Sequence, residues 1–208
     1  MTRDDARTRA LTHRVAALLL EYPTAELVAQ VPDLRAVVSG LPTRAFDPLL
    51  DHLAHTPLDG PGGLAAEYVE TFDLRRKACL YLTYYAYGDT RERGMALLAF
   101  KRAFRAAGLE VSADELPDHL CVVLEFSATA DVDAGTRLLL EHRAGLELLR
   151  LALVDHASPW AGALTAVCST LPPLRGDERE AVAKLAAEGP PGESVGLEPY
   201  GAMAAVPR

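Results

Sequence analysis

Apolar residues recur at three- and four-residue steps along almost the whole of this 208-residue chain, the period of a helix packed on one face. In 6–22 the stripe is Leu11, Val15, Leu18 and Leu19, closed by Pro23. Thr24 can cap a short helix that Pro32 interrupts, and 34–41 and 48–55 read as two more. Pro57, Gly60, Pro61, Gly62 and Gly63 make 56–63 a loop. Helices follow at 64–73 and at 89–107. The second begins where Gly88 stops the preceding segment and Asp89 with Glu92 forms a capping box, and it ends at Gly108. Residues 114–117 open a helix carrying L-C-V-V-L-E-F. Asp133 begins a longer one, with Leu139, Leu146 and Leu153 on one stripe. Two last helices start at Pro159 and Asp177. Only 79–87 has no clear period. Its aromatic residues suit a strand, but no partner strand exists elsewhere, so a buried helix is expected. The chain is therefore expected to be all-α, a single compact domain of roughly nine or ten helices over 1–188. Residues 189–208, with four Pro and four Gly, are expected to form a disordered tail.

Composition narrows the function. The net charge of -8 argues against nucleic acid and favours a cationic partner. Cys79, Cys121 and Cys168 are scattered, with no C-x-x-C, which excludes a disulfide framework or a four-ligand zinc site and suits a reducing cytoplasm. The N-terminal stretch lacks the apolar core of a signal peptide, and no apolar run approaches a membrane span. His52 and His55 stand at i, i+3 without a third ligand and read as a solvated helix edge. His142, between Leu139 and Leu146, reads as a partly buried core histidine. No nucleophile elbow, P-loop or dinucleotide fingerprint is present. The chain is thus expected to be cytoplasmic, without metal or cofactor, and not an enzyme.

Charge is divided along the chain. The region from Tyr68 to Arg105 is basic and aromatic; 106–136 contains no Lys or Arg but carries Glu110, Asp114, Glu115, Asp118, Glu125, Asp131 and Asp133. Asp118 and His119, at an expected helix start, are either plain caps or groups projecting at the mouth of a groove. Asp73, Arg75 and Arg76 form either a helix-end ion pair or an arginine crossing to the acidic segment. Tyr81, Tyr84 and Tyr85 are spaced to share a helix face. They suit core packing, or a peptide groove in which rings bury area at small entropic cost.

The motifs F-D-L-R-R, L-Y-L-T-Y, G-D-T-R-E-R-G, E-L-P-D-H-L and L-E-F, in this order over 68–126, resemble the NarJ family of nitrate reductase assembly chaperones, within the TorD-like redox-enzyme maturation proteins. The resemblance is looser in the flanking helices and absent from the last twenty residues. It implies a chaperone that binds the N-terminal leader of the reductase α subunit, keeps the apoenzyme open for molybdenum cofactor insertion and delays docking at the membrane. The chaperone itself would have no stable membrane association and would be a monomer, a dimer remaining open. In the TorD-like group an E-P-D-H motif is tied to leader recognition. Here Leu116 is inserted, as in the narrower family. The client-peptide residues expected on this basis are Asp118, His119, Glu115, Tyr81, Tyr84, Tyr85, Asp73, Arg75, Arg76 and Glu125. A chaperone for another molybdoenzyme is the alternative within the class. An all-α small-molecule enzyme or a permanent adaptor are alternatives outside it.

Overall fold

The computed structural model describes residues 3–88, 90–110, 112 and 115–189. Of the tail expected at 189–208, residues 190–208 lie outside the described residues, as do Asp89, the expected cap, and Asp114. Twelve α-helices form among the described residues: α1 (Arg3–Leu19), α2 (Ala25–Ala29), α3 (Val31–Ser39), α4 (Asp47–His55), α5 (Leu64–Phe72), α6 (Tyr84–Tyr87), α7 (Arg91–Ala106), α8 (Leu120–Thr129), α9 (Val132–Glu141), α10 (Arg143–Asp155), α11 (Ala161–Ser169) and α12 (Gly176–Glu188). The fold is all-α, as its period predicts, with more helices than the roughly nine or ten expected. Pro32 does not interrupt a helix but sits in the first turn of α3, where its missing N–H costs nothing. The long helix expected from Asp133 breaks at His142 into α9 and α10. Leu139, Leu146 and Leu153 stay buried on both sides of the break, so the stripe runs on through it.

The core is built around α8, whose Leu120, Val123, Leu124 and Phe126 are buried. It packs against α1 and α9, and α11 packs on α1 while α10 packs on α11 and α12. Close approach of α8 and α9 requires Gly135: a Cβ there would lie 2.3 Å from the Cβ of Ser127. The buried face of α1 is rotated from the expected stripe. Leu11 is exposed and Leu18 half-buried, while Thr12 and His13 are buried beside Val15, Ala16 and Leu19.

Helix α7 is held by two rings. Phe100 stacks on His142, centroids 5.1 Å apart, and Phe104 tilts against Phe126 at 4.5 Å. Its C-terminus closes as a Schellman turn: Gly108, at φ 78°, donates to Arg105 O and Leu109 donates to Phe104 O.

The segment 79–87 is not one helix. A 3₁₀ turn at Arg76–Ala78 leads into extended backbone, and Tyr81 forms a single antiparallel bridge with His119. Leu82 N–H donates to Asp118 O (3.0 Å) and Leu120 N–H to Leu80 O (2.8 Å). Only then does the four-residue α6 form, stopped at Gly88 with φ 55°. The partner absent from the sequence pattern was a segment too short to show a strand period. Beyond this bridge the described residues contain no strand.

Candidate functional site

The bridge at Tyr81 and His119 determines which side chains reach solvent. Successive residues of extended backbone point to opposite sides. Leu80, Leu82, Asp118 and Leu120 therefore point inward and are buried, whereas Tyr81 and His119 point outward and are half-buried. Their rings meet edge to face, centroids 5.1 Å apart.

Asp118 is not at the surface, as its expected place at a helix start required. It has 0 % exposure. Its Oδ2 accepts from the Thr83 amide (3.2 Å) and the Thr83 hydroxyl (2.5 Å). Arg93 Nη2 stands 3.5 Å from the same oxygen, and Arg93 Nε donates to the Thr83 hydroxyl at 3.1 Å. The Arg93 guanidinium also lies over the Tyr81 ring, 5.2 Å from its centroid. One cation thus balances the buried carboxylate and braces the outward-facing tyrosine.

Outside this support lies an open cleft of about 620 Å³, lined by Glu21, Tyr81, Glu115, Leu116, His119 and Cys121, with Val122 and Glu125 of α8 completing it. A smaller cleft lined by Phe104, Leu109 and Glu110 also includes Glu115, Val122 and Glu125, so the two run together beside α8. Three carboxylates face the larger cleft, and Arg14 pairs with one of them, Glu125. The Glu21 carboxyl is raised above its ordinary range by partial burial, against the pull of Arg14 and with the push of Glu115. Burial lowers the His119 imidazole, with Asp118 and Glu115 opposing the shift, so it adds no full positive charge at neutral pH. Burial pushes the Cys121 thiol well up, so no thiolate nucleophile forms there.

Of the expected site residues, Tyr81, Glu115, His119 and Glu125 meet at this cleft. Tyr84 and Tyr85 do not. Tyr84 is buried, with Arg76 Nε donating to its hydroxyl at 3.0 Å. Tyr85 is buried against Gly145 and donates to Cys79 O at 2.8 Å. A one-turn helix after an extended segment cannot give the three tyrosines the shared face that a continuous helix would. Asp73 ends α5, exposed. Arg75 does not cross to the acidic segment but pairs with Glu70 of α5 at 2.7 Å. The arginine that crosses is Arg93, within the G-D-T-R-E-R-G motif, and the sequence reading did not single it out.

His13 was also missed. It is buried between α8 and the end of α11, with Nδ1 2.7 Å from Ser127 Oγ and Nε2 2.9 Å from Thr170 Oγ1. The Thr170 hydroxyl donates to Val167 O. It therefore accepts from Nε2–H, and Nδ1 accepts from Ser127, whose other acceptor, Val132 O, is farther away at 3.5 Å. Burial, with Arg9 adding to it, lowers this imidazole to about 4. His52, expected at a solvated edge, is half-buried, 2.6 Å from Glu67. His142 is half-buried, as read from the pattern. Among the described residues no three His, Cys, Asp or Glu side chains converge as a metal site needs, and no helix is long and apolar enough to cross a membrane.

The family profile described as "Nitrate reductase delta subunit" matches residues 41–166. The chain is 41% identical over 159 residues to the nitrate reductase-like protein NarX of Mycobacterium tuberculosis (strain ATCC 25618 / H37Rv), a match covering 74% of this chain but 23% of that longer protein. It is 32% identical over 164 residues to the probable nitrate reductase molybdenum cofactor assembly chaperone NarJ of Bacillus subtilis (strain 168), covering 78% of this chain and 89% of the relative. It is 29% identical over 150 residues to the nitrate reductase molybdenum cofactor assembly chaperone NarJ of Escherichia coli (strain K12), covering 71% and 64%. With the profile spanning more than half of the sequence and the Bacillus protein matched over nearly its full length, the chain belongs to the nitrate reductase delta subunit family, the family of the NarJ chaperones.

Proposed function

We propose that this chain is an assembly chaperone for a nitrate reductase, and that the cleft at Tyr81 and His119 receives the N-terminal leader of the α subunit. The observation that carries the reading is the match to a relative named as such a chaperone over 89% of its length. The cleft's chemistry supports the leader as ligand. Leu116 and Val122 offer apolar surface, Tyr81 and His119 offer ring edges, and Glu21 and Glu115 offer carboxylates. An amphipathic segment with apolar anchors and one or two basic residues complements that set.

Burying one aliphatic or aromatic anchor contributes about 1.5–3 kcal/mol. Association costs several kcal/mol, so three or four anchors give micromolar to nanomolar binding. The carboxylates set register and on-rate more than affinity. A chaperone must also release its client, and an open cleft with exposed acids suits that better than an enclosed one. While bound, the chaperone would keep the apoenzyme competent for molybdenum cofactor insertion and delay its docking at the membrane, then leave. The cofactor in this account is the client's cargo.

The test is co-expression of the tagged full chain with the α subunit, with and without its leader. Retention of the complete subunit and loss of the truncated one is the expected result. Equal retention of both, or of neither, would refute the assignment of the leader.

A further inference from the structure

Helix α7 presents a face that nothing among the described residues covers. At 100° per residue, Phe100, Phe104 and Arg93 point to the body. The opposite side carries Arg91, Met95, Leu98, Arg102 and Arg105, all exposed. Met95 is 67 % and Leu98 41 % accessible. In a chain of net charge -8, Arg9, Arg14, Arg35, Arg75, Arg143 and Arg150 pair with carboxylates. Arg91, Arg102 and Arg105 form no ion pair among the described residues. The outward face thus holds three cations around two apolar side chains.

We infer that this face of α7 is a reversible docking surface for an anionic lipid bilayer. The cavity at Lys101 and Arg105 holds no more than about 140 Å³, too little to seat a partner's side chains, and specific protein interfaces need a packed core. A bilayer needs neither. Its headgroups take long cationic side chains in any register, and its boundary takes a shallow apolar insertion such as Met95 with Leu98. Repulsion from the rest of the acidic chain is screened beyond about 8 Å at physiological salt, so the local positive face governs contact. Two apolar residues are too few for permanent anchoring; the contact is weak and lost at high salt. This surface uses none of the residues that line the acidic cleft and does not depend on the leader reading.

The test is co-sedimentation of the full chain with vesicles of phosphatidylcholine alone or with about 30% phosphatidylserine, at low and high salt. The expected result is binding to the anionic vesicles only, reversed by salt. It should weaken at least tenfold in Arg91→Glu, Arg102→Glu, Arg105→Glu, and several-fold in Met95→Ser, Leu98→Ser. Both variants should keep the wild-type thermal midpoint and helical circular dichroism, because the side chains are exposed. Equal binding to both vesicles, no binding to either, or binding that survives the charge reversal would overturn the inference. So would concentration-dependent self-association in lipid-free solution that the reversal abolishes, which would make the occupant a second copy of this chain.

Discussion

Arg93 reaches from the basic half of the chain to Asp118 in the acidic half, 3.5 Å from a carboxylate that has no contact with solvent. Asp118 is thereby an anchor of the cleft wall rather than a contact within the cleft. Its Oδ2 gathers the Thr83 amide, the Thr83 hydroxyl and the guanidinium that covers Tyr81.

Asp118→Ala should therefore unfold the protein more easily. Removing one partner of a buried ion pair costs about 3–5 kcal/mol, which for a chain of this size lowers the thermal midpoint by on the order of 10 °C. His119→Ala, half-buried on the outward side, should cost less than about 1 kcal/mol. Thermal denaturation of both variants checks this, and equal midpoints would refute the division of roles between the two neighbours.

Stability should fall in acid through His13. Its folded-state value of about 4 lies below the ordinary 6.5, so the unfolded chain binds more protons between those values. The contribution is complete above pH 6.5, declines as pH falls toward 4, and is flat below. The shift corresponds to about 3 kcal/mol. Denaturant unfolding across this range should slope less steeply in His13→Gln than in wild type. Parallel curves would show that the imidazole is not held neutral by its site.

Gly135→Ala should destabilise by about 1–3 kcal/mol through overpacking. The new methyl would fall 2.3 Å from Ser127 Cβ, forcing α8 from α9 and disturbing the hydroxyl bonded to His13. A midpoint in urea unchanged from wild type would contradict the close approach.

The helices were legible in the sequence where an apolar period and a terminator coincide, as in α5 and in α7 with Gly108. The break at His142 was hidden because the stripe through Leu139, Leu146 and Leu153 continues across it. His13 was hidden because the stripe drawn through Leu11 and Leu18 put its face at the wrong angle, and a polar residue does not announce burial. At the cleft, the clustering of Glu115, His119 and Glu125 followed from local order in E-L-P-D-H-L and L-E-F. The inward turn of Asp118 did not, because it depends on pairing with Leu80–Leu82, a contact more than thirty residues away in the chain. Arg93 escaped notice for the same reason: its partner is set by that pairing and not by its own helix.

The central claim is that the acidic cleft beside α8 binds a basic, amphipathic leader. Calorimetric titration of the synthetic leader peptide of the nitrate reductase α subunit into the full chain tests it most directly, with Glu21→Gln, Glu115→Gln as comparison. Binding in the micromolar range or tighter is predicted, weakened by salt and reduced about tenfold in the double variant, whose thermal midpoint stays at the wild-type value. No heat of binding, or an affinity the same in both proteins at every salt concentration, would contradict it.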